Sequence, residues 1–351
     1  MRRRNRWIAV AAVAVAAVLG AASPAGRASA VPPAVAVVAP GPVIPRVTTI
    51  PTFTTASTTI TCDAARPSVQ AFYGAAASLI YDNTFQVSAG IPNIAAGYVP
   101  QGMTSWTRNG QTLLILGEFK DGQKSRLIAV DPHTGGIYGQ VLVAPSHLGG
   151  IAIVGDWLFA QDQENAKAEN VRKYRMSTLA AAFDTSHASG QRTKPYVGRS
   201  GALQKLNYWA SFMTSDGSYL WAGHHGVDDR NMYRYSVESD GTLNRVGGGY
   251  EAPRYTDGVV VTPDRFIFVS HSRPDVPKGF GTMTVAARSA QLSANRRCFA
   301  MPNLGEGAVL IDGIVYTVFE SGVPGSRSPS ADHIPYLHRA AYAQLSGLLS
   351  P

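Results

Sequence analysis

Polar residues recur at two fixed places in this chain. One set stands immediately before a small residue and an apolar run: Gln101 before Gly102-Met103, Gly149 before Gly150-Ile151, Trp209 before Ala210-Ser211-Phe212, Asp257 before Gly258-Val259, and Glu306 before Gly307-Ala308. The second set closes a later apolar stretch: Glu118, Gln161, His224, His271 and Glu320, with His147 two residues ahead of Gly149. Three chemistries fit these residue types. As metal ligands, Glu118, Asp257, Glu306 and Glu320 with His147, His224 and His271 form a mixed set. Carboxylate oxygen favours a hard ion such as calcium, whereas imidazole favours a transition ion, so a divalent metal is implied without being chosen. As acid and base, two of the carboxylates would act on a substrate, one with its pKa raised by crowding; Glu118, Glu306 and Glu320 are the catalytic candidates. As plain lining, the same residues would keep a tunnel wet. Gln101, His147, Gln161, Trp209 and Asp257 are the candidate ligand-binding residues, and His224 and His271 the candidate metal ligands.

Other features point less firmly to chemistry. His224-His225 followed by Asp228-Asp229 gathers metal-ligand types in a short span that a solvated loop explains equally well. Tyr208-Trp209 offers a stacking surface for a sugar or peptide ring, although core packing accounts for it too. No Gly-x-Ser-x-Gly elbow stands near a strand end, and no EF-hand loop, phosphate-binding glycine loop or zinc-type cysteine pair occurs.

The elements that must hold these residues repeat with them. The openings at Gly102, Gly150, Ala210, Gly258 and Gly307 are spaced by 48, 60, 48 and 49 residues. Each is followed by a turn dipeptide: Asn109-Gly110, Gly155-Asp156, Asp216-Gly217, Pro263-Asp264 or Asp312-Gly313. Gly, Asn and Asp tolerate the positive φ that tight hairpins demand. Strands rich in aromatic and β-branched residues come next, such as Trp157 to Ala160 and Ile314 to Phe319. A third strand is readable in every unit, and a fourth ends in a proline at Pro145, Pro253 and Pro302. A period of 40–50 residues with several strands per unit is the pattern of propeller blades.

The fold class is therefore all-β, a five-bladed β-propeller closed by an N-terminal strand completing the last blade. Residues 83–91 supply that strand, because the last unit shows three strands and then stops. Closure removes two open sheet edges. No long amphipathic helix is expected; Ala180 to Phe183 reads as a turn or two inside the enlarged second unit. In each blade the start of strand one and the end of strand two should meet at the central mouth. The long polar loops, including Asp162 to Asn170, His225 to Asn231, Ser272 to Gly281 and Ser321 to His333, should gather on that face.

Residues 1–30 have the parts of a secretory signal: Arg2, Arg3, Arg4 and Arg6, an apolar run from Ile8 to Ala22, and Ala28-Ser29-Ala30 as cleavage site. That run falls short of the roughly twenty residues a membrane span needs, and no later run reaches it. The expectation is an extracellular protein without an integral membrane span. Residues 31–61, rich in Pro, Ala, Val and then Thr, read as a disordered linker, and residues 62–351 as the propeller. The net charge of +8 comes from 31 basic and 23 acidic residues; five basic and no acidic ones lie in the signal, leaving 26 against 23, or +3. Nucleic acid is not an expected partner at so small a charge. Cys62 and Cys298, the two cysteines, should pair in an oxidising compartment.

Short motifs carry a resemblance. Tyr98-Val99-Pro100-Gln101-Gly102-Met103, Leu304-Gly305-Glu306-Gly307 and Val318-Phe319-Glu320-Ser321 resemble the blade starts and strand-two ending of the glutamine cyclotransferase propellers. That family's five-bladed enzymes cyclise N-terminal glutamine with an acidic proton carrier. The resemblance implies such a role for Glu118, Glu306 or Glu320. His147-Leu148-Gly149-Gly150, with the Pro-Gln-Gly start, is similar to bacterial secreted propellers. Lactonase-type propellers are a further analogy at the level of fold. The function expected is a secreted, monomeric propeller binding a small polar ligand or a metal at its central mouth. The alternatives are a metal-assisted hydrolase, lactonase or cyclotransferase using rim carboxylates and histidines, and a non-catalytic glycan- or protein-binding module.

Overall fold

The structure is a computed structural model and describes residues 52–54, 59–63, 77–162, 169–206, 208–226, 231–271, 280–292, 294–323 and 333–349. The expected signal, most of the expected linker, the greater part of four long mouth loops, and with them Asp228 and Asp229, lie outside the described residues.

Within the stretch read as a linker, β1 (Thr52–Thr54) and β2 (Thr59–Thr61) pair as an antiparallel ribbon, so this part has regular structure. Blade one consists of β4 (Val99–Arg108), β5 (Gln111–Phe119), β6 (Ser125–Val130) and β7 (Ile137–Val143). Blade two holds β8 (Ile151–Val154), β9 (Trp157–Asp162), β10 (Asn170–Arg175) and β11 (Gln204–Lys205). Blade three holds β12 (Phe212–Ser215), β13 (Leu220–Gly223), β14 (Asn231–Val237) and β15 (Leu243–Glu251). Blade four holds β16 (Thr256–Val261), β17 (Arg265–Ser270), β18 (Phe280–Ala287) and β19 (Arg296–Pro302). Blade five is built from β20 (Gly305–Ile311), β21 (Ile314–Phe319), β22 (Tyr336–Ala341) and the N-terminal β3 (Gln86–Gly90). β3 pairs antiparallel with β22, Tyr336 opposite Gly90 and Arg339 opposite Gln86, and so closes the ring.

The turn dipeptides make the hairpins. Asn109-Gly110 and Asp312-Gly313 have positive φ at both residues (50° and 77°, 49° and 76°), the conformation that matches the right-handed twist of the flanking strands. The inner strands β4, β8, β12, β16 and β20 stand side by side around the axis.

Alternation along each strand places the core between blades. In β5, Leu113 and Ile115 pack toward blade two, while Leu114 and Leu116 pack toward blade five. In β17, Phe266 and Phe268 face blade three, and Ile267 and Val269 face blade five. Trp221, Phe159, Phe268 and Tyr316 are fully buried in these layers. The two faces of one strand thus belong to different inter-blade layers, and a side chain's parity decides which neighbour it meets.

The second blade departs from expectation. Where a turn or two was predicted, α1 (Met176–Ala188) is a thirteen-residue helix leading from β10 toward β11. Met176, Leu179 and Phe183 form its buried stripe, and it lies on β7 of blade one. Gly139 admits it: a Cβ there would stand 2.6 Å from the Phe183 carbonyl oxygen. The sequence signal is faint because no side chain caps the N-terminus and Ser and Thr are interspersed with the alanines.

Cys62 and Cys298 form the expected disulfide, across a sequence separation of 236 residues. Cys298 is in the outer strand of blade four. Beside it Asp63 bridges Phe299 in parallel, with Asp63 N donating to Cys298 O and Ala300 N donating to Asp63 O, each at 3.0 Å. Among the described residues no helix is long and apolar enough to cross a membrane.

Candidate functional site at the channel mouth

The ring leaves a cavity of about 300 Å³ at one end of its axis, lined by all five blades. Blade one contributes Gln101, blade two Gly149 and Gln161, and the segment before blade two His147. Trp209, Ser211 and His225 come from blade three and its approaches, Asp257 and His271 from blade four, and Glu306 and Glu320 from blade five.

The first-strand residues reach the cavity through interruptions in the ladder. Pairing of β4 with β5 skips Gln101 and Gly102, pairing of β16 with β17 skips Asp257, and pairing of β20 with β21 skips Glu306. An extra residue on one strand bends it and re-aims its side chain, which is how bulges are used next to binding sites. Tyr255 (φ 56°), Leu304 (φ 59°) and Leu148 (φ 62°) hold the left-handed conformation just ahead of three blade starts. The glycine that follows each bulge lets neighbouring inner strands touch. A Cβ on Gly102 would lie 2.3 Å from Gly149 O of blade two, and one on Gly258 would lie 2.8 Å from Ala308 N of blade five.

The second-strand residues reach the cavity by parity. Gln161 follows Phe159, His271 follows Ile267 and Val269, and Glu320 follows Tyr316 and Val318, each set on the face toward the next blade. In β13 the corresponding face carries Trp221, so the residue that reaches the channel is His225, not His224. His224 has the opposite parity, and its ring lies 4.4 Å from that of Trp209 and 6.1 Å from that of Tyr208. Glu118 likewise shares parity with Leu114 and Leu116. It is fully buried beside the segment joining β3 to β4, where Asn93 Nδ2 donates to Glu118 Oε2 at 3.1 Å and to Gln140 Oε1 at 3.2 Å. Burial pushes its pKa up to about 8, against the opposing pull of the Asn93 hydrogen bond and the nearby Arg126. Glu118 and His224 therefore do not join the rim as expected. Phe119, the residue of channel-facing parity in blade one, instead stacks on the His147 ring at 4.0 Å.

The cavity's titratable groups are linked. Asp257 accepts from His225 Nδ1 through Oδ1 at 2.6 Å and from His271 Nδ1 through Oδ2 at 2.8 Å. His271 Nδ1 lies 3.5 Å from Glu306 Oε1 across the blade boundary, and Glu306 hydrogen-bonds Glu320. Burial alone would raise the Asp257 carboxyl, but the two imidazoles hold it below the usual range. Glu306 is driven well above that range, first by burial, then by the charges of Asp257 and Glu320 and its bond to Glu320. Burial works to lower His225, yet the charge and hydrogen bond of Asp257 prevail and raise it. Two carboxyls in one cavity are thus pushed in opposite directions. Among the described residues, no lysine or arginine contributes to the lining.

One donor group is compact: an atom each of Asp257, His271 and Glu306 lie within 4.8 Å of one another. Of the expected site residues, Gln101, His147, Gln161, Trp209, Asp257, His271, Glu306 and Glu320 meet at this cavity. His225 and Ser211 complete it; His225 stood in the sequence beside His224, and counting in twos from Trp221 would have selected it.

The fold and the site together define a five-bladed β-propeller with an acid- and imidazole-lined central mouth. No family model matches the sequence, and no curated protein matches it. Solved structures do match. The glutaminyl cyclase of Myxococcus xanthus is 8% identical, over 73% of this chain and 92% of that one, with a TM-score of 0.41. BamB from Moraxella catarrhalis is 12% identical over 68% and 59%, with a TM-score of 0.33. The Pan2 WD40 domain of Neurospora crassa is 7% identical over 73% and 95%, with a TM-score of 0.35. At these identities the likeness is one of fold alone.

Proposed function

We propose that this protein is an exported propeller that binds a small, polar, neutral or cationic ligand in its central mouth. The observation that carries the reading is the convergence of five blades on one cavity, each delivering polar side chains from bulges or strand ends. The chemistry of the lining supports the ligand class. Carboxyls, imidazoles and two glutamine amides offer many acceptors, and among the described lining residues there is no lysine or arginine to receive an anion. Trp209, 41% exposed at the lip, supplies an aromatic face for a ring or a cation. A second cavity of about 330 Å³, bounded by Phe119, Lys120, Ser125, Pro145 and Ser146, shares His147 with the mouth. Export rests on the N-terminal sequence pattern and agrees with the paired cysteines.

The test is a thermal-shift panel of amines, sugars, amino acids, short peptides and dicarboxylates, run in chelator, on the wild type and on Gln161→Ala and Trp209→Ala. Stabilisation by neutral or cationic members that both substitutions weaken supports the reading. An empty panel, or hits indifferent to both substitutions, overturns it. Preference for dicarboxylates overturns the charge assignment.

A further inference from the structure

The mouth cavity holds a donor set more specific than polar lining requires. Asp257 and His271 from blade four and Glu306 from blade five present one ligand atom each within 4.8 Å of one another. Glu306 is nearly buried, with its side chain 8% exposed, and the Asp257 side chain is 11% exposed, so these are not solvated surface acids. Their backbone positions are fixed by bulges and by glycine-mediated contact between β16 and β20, where the Gly258 and Gly307 backbones meet. Glu320 stands in the same cavity, and the described lining residues include no lysine or arginine. Carboxylate charges grouped in one cavity repel one another, and a divalent ion among them offsets that repulsion.

From this arrangement we infer that the mouth binds one divalent transition-metal ion, ligated by Asp257, His271 and Glu306, the proton that His271 Nδ1 shares with Asp257 being released as the ion binds. The imidazole decides the metal class. Calcium and magnesium take oxygen ligands, whereas one nitrogen with two carboxylate oxygens suits zinc or manganese. Three protein ligands leave positions open toward the cavity, where a polar ligand's oxygen or nitrogen would complete the coordination. His225, held at 2.6 Å by the other oxygen of Asp257, orients that carboxylate as an outer partner. This inference rests on the reading of the mouth as a ligand site and narrows what the site recognises.

The experiment is isothermal titration of Zn²⁺, Mn²⁺ and Ca²⁺ into chelator-stripped full-length protein, repeated on His271→Gln and Glu306→Gln, with circular dichroism on each. The expected result is one saturable site for Zn²⁺ and for Mn²⁺. Each substitution should weaken it on the order of 100-fold, as losing a ligand costs at least as much as losing an outer partner. Ca²⁺ should bind more weakly than either. No saturable site, unchanged affinity in both variants, or Ca²⁺ binding as tightly as the other two overturns the inference. Should a variant misfold, Mn²⁺ added to the wild type is read by nuclear magnetic resonance. Broadening strongest at the His271 ring supports the site, and broadening elsewhere or nowhere overturns it. Because the thermal-shift panel is run in chelator, hits there without metal binding remove the metal alone, and metal binding with an empty panel removes the organic-ligand reading alone.

Discussion

His271 Nδ1 lies 2.8 Å from Asp257 Oδ2, fourteen positions apart in sequence. The contact joins the residue following β17 to the bulge that opens β16, so the second strand of blade four braces the side chain its first strand aims into the channel. His225 grips the other oxygen from blade three. Asp257 is thus held from two sides, which is what a positioned ligand or binding group requires.

These three residues should act as a unit. In chelator, Asp257→Asn and His225→Gln measured singly and together should show a coupling of about 0.5–3 kcal/mol in a denaturant double-mutant cycle. Additive losses would mean that the short contact contributes nothing to holding the mouth together.

Close approach of the inner strands sets a second expectation. Gly102→Ala places a methyl against the Gly149 carbonyl, which is backbone and cannot swing aside, and should cost roughly 3 kcal/mol in urea unfolding. Gly90→Ala, where nothing lies within 4 Å, should stay within about 0.5 kcal/mol of wild type. Equal losses would show that the blade-start glycines serve flexibility rather than contact.

The buried Glu118 carboxyl predicts a pH dependence away from the mouth. Its folded pKa of about 8 lies above that of an unfolded glutamate, so the native state holds the extra proton. Its contribution is fully present below the unfolded value, about 4.3, and is lost as pH rises toward about 8. Wild type should therefore lose up to a few kcal/mol relative to Glu118→Gln between pH 5 and about 8.5, measured by urea unfolding at steps across that range. A constant difference between the two proteins would show that Glu118 ionises freely.

The sequence carried the blades and the first-strand rim more plainly than the second-strand rim. Openings repeat with glycine beside Gln101, Asp257 and Glu306, and a bulge at each leaves a visible extra residue, so these were legible from spacing alone. The strand-two ends carry no such punctuation. Glu118 and His224 are polar and end apolar runs, but each is one residue out of phase with the channel face, and a one-residue slip turns a side chain into the opposite inter-blade layer. Alternation from Leu113 or Trp221 resolves it. Helix α1 escaped because its apolar stripe of Met176, Leu179 and Phe183 is short and uncapped. The ring closure was legible because blade five lacked a strand and β3 had no blade of its own.

The disulfide should matter for stability more than for the mouth. Cys62→Ser with Cys298→Ser should cost about 2–4 kcal/mol in denaturant unfolding, because the bridge restricts a long loop of the unfolded chain. Ligand responses in the thermal-shift panel should keep their rank order, since the bridge ties residues 62 and 63 to the outer strand β19, remote from the inner strands. A changed rank order would tie the outer edge of blade four to recognition.

The most direct test of the mouth as the recognition site is a crystal structure of the protein with the strongest ligand from that panel. Ligand density is expected in the cavity bounded by Gln101, Gln161, Trp209, His225, Asp257 and Glu306. Ligand density on another surface, with only ordered water in the mouth, would contradict it.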